Sequence, residues 1–182
     1  MTQNLIAAIR RTNRFIALLV GLVLTGSVIL IIAEILLREV GVSLGGAEEI
    51  SGYVMAGVAS WGLSYALTEL AHVRIDLIRL RLQERGKALL DLLSIIALAA
   101  IATIVAVQCW PVLSKTIERG STANTPLETP LWIPQVIWFS GWVWFALSAC
   151  ALVLLTLRLL MKRDLEQADM LVGARSELEL ES

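Results

Sequence analysis

The side chains in this sequence able to move protons, hold metals or attack a substrate are few and scattered. They are Glu34, the adjacent Glu48 and Glu49, the lone His72 between Glu69 and Asp76, and the cysteines Cys109 and Cys150. General acid–base catalysis needs two titratable groups converging on one reacting centre. Neighbouring residues on a helix point roughly 100° apart, so Glu48 and Glu49 do not converge. One histidine cannot supply paired axial haem ligands, and no His/Cys/Asp cluster has metal-ligand spacing. The cysteines lie in or beside apolar stretches without a CxxC spacing and read as small buried hydrophobes, not as a disulfide. No nucleophile with a base, and no glycine loop for a phosphate, is present. The expectation is a protein that is not an enzyme and carries no cofactor.

Structural roles then fall to these groups. His72 is three residues from Glu69 and four from Asp76, within helical reach of both, which favours an ion-paired structural role over proton coupling. Glu34 has Arg38 one turn later and reads as an ion pair near a membrane interface, with a functional intramembrane carboxylate as the other reading. Glu48 and Glu49 open a helix, where acids complement its dipole. From there Gly52, Ala56, Ser60, Ser64 and Thr68 recur every fourth residue and line one slowly rotating face with small side chains. Such a face admits another backbone closely; it serves either an internal helix contact or a separate subunit.

The elements carrying these residues are apolar blocks. Of 182 residues, 57% are hydrophobic and 17% charged, and the mean hydropathy is +0.76. This composition implies an integral membrane protein. Formal net charge is −1, and with no basic cluster interleaved with aromatics nucleic acid is excluded as a partner. The pattern predicts an all-α fold of four transmembrane helices plus short interfacial amphipathic helices. Residues 1–14 form an N-terminal interfacial segment, 15–163 the transmembrane domain and 164–182 a polar, frayed tail. The apolar run after Arg10, Arg11 and Arg14 is too long for a signal peptide and stays as an anchor.

The first span runs from Phe15 to Leu37 and the second from Ala47 to about Leu70. A basic amphipathic connection through Arg74, Arg79, Arg81, Arg85 and Lys87 then lies along the headgroups. The third span is Ala88 to Gln108, with Pro111 predicting a kink or an end. The fourth runs from about Leu131 to Leu160, with Thr129 as N-cap and Pro130 at the first helical position. Trp138 and Trp142 share one face of it, and lipid belt, core and partner interface all remain open for them. Of 15 lysines and arginines, only Arg38, Lys115 and Arg119 fall on the side of the 38–47 and 109–130 loops. The positive-inside rule therefore places both termini in the cytoplasm.

Arg38, the Glu48–Glu49 pair, Ala71-His72-Val73-Arg74-Ile75-Asp76 and Thr129-Pro130-Leu131-Trp132-Ile133-Pro134-Gln135 together resemble the DctQ-like small membrane subunit of tripartite ATP-independent periplasmic (TRAP) transporters. That resemblance implies a scaffold in the inner membrane, surrounded by lipid. Its partners would be a separate large membrane subunit, which holds the organic-acid and sodium sites, and a periplasmic substrate-binding protein. Glu48, Glu49, Gly52, Ala56, Ser60, Ser64, Trp138 and Trp142 are the candidates for the partner interface. A membrane redox enzyme of the quinone and disulfide type would need reactive cysteines in external loops. A small self-associating channel or carrier would need a polar stripe. The chain offers neither.

Overall fold

A computed structural model describes residues 2–70 and 82–173. They form five helices: α1 Thr2–Glu39, α2 Ala47–Thr68, α3 Glu84–Arg119, α4 Trp132–Met161 and α5 Leu165–Val172. Three are long and apolar enough to cross a membrane, over Asn4–Glu39, Glu84–Arg119 and Trp132–Met161. α2 is not among these three. Its 22 residues reach about 33 Å, a sufficient length, but Gly, Ser, Tyr and Trp dilute its apolar character.

Several boundaries differ from expectation for physical reasons. The interfacial segment and the first span are one unbroken helix, because no proline interrupts 4–37 and Gly21 and Gly26 are isolated. α3 runs through Pro111, which is exposed, and ends at Gly120 in the left-handed conformation, φ 59°. A membrane helix tolerates an internal proline where neighbouring groups or a local adjustment of the turns re-satisfy the freed carbonyl. α4 starts at Trp132 rather than at Thr129–Pro130. The preceding loop folds on itself instead: the Ala123 N–H donates to Thr129 O at 2.9 Å and the Leu131 N–H to Ser121 O at 3.0 Å. Pro134 falls in the first turn, where its absent N–H costs nothing.

The expected frayed tail begins with an ordered helix. Asp164 caps α5 by accepting from the Gln167 N–H at 3.1 Å, and Ala168, Leu171 and Val172 are buried. Cys109 is buried as expected, but Cys150 is exposed on α4, and both thiols are free.

The four long helices form a row in the order α1, α2, α4, α3, and α5 rests on α3 and α4. Residues 40–46 and 120–131 turn the chain at one end, here the loop end. Between α3 and α4, small and large side chains interleave: Ile95, Ala99 and Ala102 against Ala149, Leu152 and Phe145. Lipid tails are as apolar as these residues, so close van der Waals packing holds the pair together, without a hydrophobic driving force.

Candidate functional site

The polar side chains of the row converge on α2, the helix whose two ends and middle are each tied to a neighbour. At the loop end Glu34 turns both carboxylate oxygens onto the 40–46 connection. Oε1 accepts from the Ser43 hydroxyl at 2.7 Å and Oε2 from the Leu44 N–H at 2.9 Å. Its first role is to hold this turn, with Arg38 acting on it only at longer range. Gly46, at φ 100°, leads into α2, and a Cβ there would strike the Leu127 side chain. Only glycine tolerates both the backbone angle and the contact.

Glu49 sits under the same loop. Its Oε1 accepts from the Tyr53 hydroxyl at 2.7 Å. Its Oε2 is enclosed and makes no hydrogen bond of good geometry, while the Thr125 and Thr129 hydroxyls and the Leu127 amide stand close by. Thr129 stands beside Glu49 and does not cap α4. Glu48, one residue earlier, is exposed.

In the middle of the row, α2 and α4 approach closely at Ser60 and Gly141. A Cβ on Gly141 would lie 2.7 Å from the Ser60 Cβ and 2.9 Å from Trp61. The Trp61 indole N–H donates to Ile137 O at 2.9 Å across this contact. Along the small-residue seam, Gly52 is exposed and Ala56 half-buried, whereas Ser60, Ser64 and Thr68 are at most 5% exposed. The internal alternative accounts for these last three, since α1 and α4 of the same chain cover them.

The anchor at the terminal end escaped the sequence reading. Asn13 of α1 is 0% exposed. Its amide nitrogen donates to Ser64 O at 2.9 Å and lies 3.4 Å from Thr68 Oγ1. Its Oδ1 accepts from the Trp144 indole at 2.8 Å. One side chain therefore joins α1, α2 and α4. Three arginines around it drew attention away, yet it lies four residues after Ile9 and three before Ile16, on the inward face.

Of the tryptophans singled out earlier, Trp138 and Trp142 are both half-buried. Trp142 packs against the core and meets Phe145 edge-on, with centroids 6.0 Å apart; its indole N–H is enclosed without an acceptor. Glu69 is exposed just beyond α2. His72 and Asp76, the rest of that expected ion-pair cluster, lie outside the described residues.

These contacts hold helices to one another, to the connecting turns or to themselves, and among the described residues none assembles a reacting centre. A family model for the DctQ component of tripartite ATP-independent periplasmic transporters matches residues 27–161. The chain belongs to the DctQ family. No curated protein and no solved structure matches it.

As a DctQ component the chain is a membrane protein of transmembrane transport. The matched segment takes in α2, α3, α4 and the loop-end part of α1. It therefore includes the Glu34 turn, the Glu49 loop contact and the Ser60–Gly141 approach. Asn13 and α5 fall outside it.

Proposed function

We propose that this DctQ chain is the non-catalytic small permease subunit of a TRAP-type secondary transporter in the inner membrane. It scaffolds a separate large membrane subunit, which uses a sodium gradient to take up an organic acid delivered by a periplasmic binding protein. In this reading α2 also crosses the bilayer, between α1 and α4, and gives four spans within 15–163. The loop end is periplasmic and both termini are cytoplasmic, as the basic residues favour.

One observation carries the scaffold role. The polar groups of Asn13, Trp61 and Trp144 are turned onto neighbouring helices, and that of Glu49 onto Tyr53 of its own helix beneath the loop. The cavity among α1, α2 and α4, about 470 Å³, is walled by apolar side chains such as Val20, Ile50, Val58 and Ile137. The Tyr53 and Trp61 donors at its wall are already engaged by Glu49 and Ile137 O, which leaves an organic acid little to bind there. Glu48, Gly52 and Ala56 stay available to a partner at the loop end, while Ser60 and Ser64 serve the chain's own packing.

The test is co-expression of the tagged chain with its large subunit, followed by reconstitution. The large subunit should co-purify, and uptake of the acid into proteoliposomes should require both chains. Uptake at full rate by the large subunit alone would refute the role.

A further inference from the structure

The two edges of the row present different surfaces to the membrane. On α1, Leu18 and Leu22 are 70% and 71% exposed, and the exposed Thr25 hydroxyl is satisfied by Gly21 O at 2.8 Å. That is what lipid accommodates. Between α3 and α4, by contrast, runs a groove of about 730 Å³. Ala100, Thr103, Ile104 and Gln108 of α3 line it with Cys150 and Leu154 of α4, and all six are exposed.

Thr103 is satisfied by Ala99 O at 2.7 Å, and its hydroxyl lies 3.9 Å from Cys150 Sγ. Gln108 makes no hydrogen bond among the described residues. Its depth matters. Asp91 and Lys115 bound the uncharged stretch of α3, and Thr103 stands midway between them. Gln108, five residues further, is about 7.5 Å from that midpoint along the helix, inside a hydrocarbon layer ~30 Å thick. An amide offering two donors and an acceptor to lipid at that depth loses its water with nothing in exchange. Small residues on the floor of the groove let a second helix come near enough to supply the missing partner.

We propose that the α3–α4 groove receives a membrane-spanning helix of the large subunit, with small side chains along the contact and a hydrogen-bonding group opposite Gln108. This rests on the scaffold reading above and names the surface through which it works. The α1 edge is left to lipid.

The experiment places a photo-crosslinking phenylalanine analogue at Ile104 or at Leu22 in the full-length chain, co-expressed with the large subunit, and identifies adducts by mass. Ile104 should yield adducts with the large subunit and Leu22 should yield lipid adducts. In parallel, Gln108→Leu should lower recovery of the large subunit on the tagged chain about threefold, the scale of one interhelical hydrogen bond in a membrane. Ala100→Phe should lower it about tenfold by wedging the helices apart. Both variants should insert at normal levels, since both positions are exposed. Adducts with the large subunit from Leu22 and none from Ile104 would overturn the proposal, as would adducts from Ile104 with lipid alone or with a second copy of this chain. Loss of co-purification even for the unsubstituted chain would overturn the scaffold reading itself.

Discussion

α1 and the α3–α4 pair occupy the two edges of one row, yet they are held by different means. α3 and α4 interleave small and large side chains along the contact, with Ile95, Ala102 and Ala149 at 0% exposure. α1 lies against α2 alone for most of its length, and one buried asparagine at its terminal end ties it to α4 as well. Where steric fit is continuous, no single polar group is needed. Where fit is one-sided, a polar group satisfied on three sides fixes position, because its alternative in hydrocarbon is an unpaired amide.

The contrast is broken most severely by bulk at a close approach. Gly141→Leu would drive a side chain into Ser60 and Trp61, part α2 from α4 and destabilise the subunit by about 1–3 kcal/mol, read as lost thermal stability in detergent. Gly21→Leu, on an exposed face of α1 with nothing within 4 Å, should stay within about 0.5 kcal/mol of the parent. Equal damage from both would remove the distinction between a close approach inside the row and its α1 edge.

Asn13→Leu should come next, at about 1–2 kcal/mol. It deletes the bonds to Ser64, Thr68 and Trp144 while keeping similar bulk. Spin labels on α1 and α4 near this end should then report a longer and broader distance distribution, with the α3–α4 separation unchanged. A matching change in α3–α4 would mean that the row moves as one body.

Glu34→Gln sharpens the picture at the loop end. The amide can accept from Ser43 or Leu44 but not from both with its nitrogen turned to one of them. The 40–46 turn should exchange its amide hydrogens faster, with little change in global stability. An unchanged exchange pattern would assign the turn to its glycines alone. Thr103→Val should be the mildest, since its hydroxyl bonds within its own helix; thermal stability should be unchanged.

Topology offers a further separation. With Cys109 and Cys150 replaced by Ala, cysteines at Ser43 and Ser121 should label from the same side, since α2 and α3 both cross between them. Labelling from opposite sides would leave three crossings and set α2 apart as a helix that does not span.

Much of this architecture could be read in advance from hydropathy, because a bilayer forces backbone polar groups into helices and the apolar blocks are long. α2 is harder, since the glycines and serines that let it sit between two neighbours also lower its hydropathy. The seam was visible as a place of close approach, but periodicity says nothing of what approaches. Here Gly141, 81 positions after Ser60, completes the contact. Thr129 looked like an N-cap because local rules reward it there; pairing of the loop with residues 121–123, close in space, holds it outside the helix. Asn13 was hidden among arginines whose charge dominates any reading of that segment. The family resemblance drawn from the acid pair and the Thr129–Gln135 stretch agrees with the match over 27–161. In this chain those two motifs meet where Glu49 lies beneath the loop.

The central claim is that the membrane-embedded polar groups of this chain hold helices and subunits, not substrate. The most direct measurement is uptake by proteoliposomes containing the reconstituted complex, with KM determined for the acid and for sodium. It compares the parent with Glu49→Gln and Gln108→Leu, normalised to the amount of assembled complex. The account predicts that uptake falls only in proportion to assembly and that both KM values stay unchanged. A variant that assembles in normal amount yet shifts the KM for the acid or for sodium would place this chain in the transport path and contradict it.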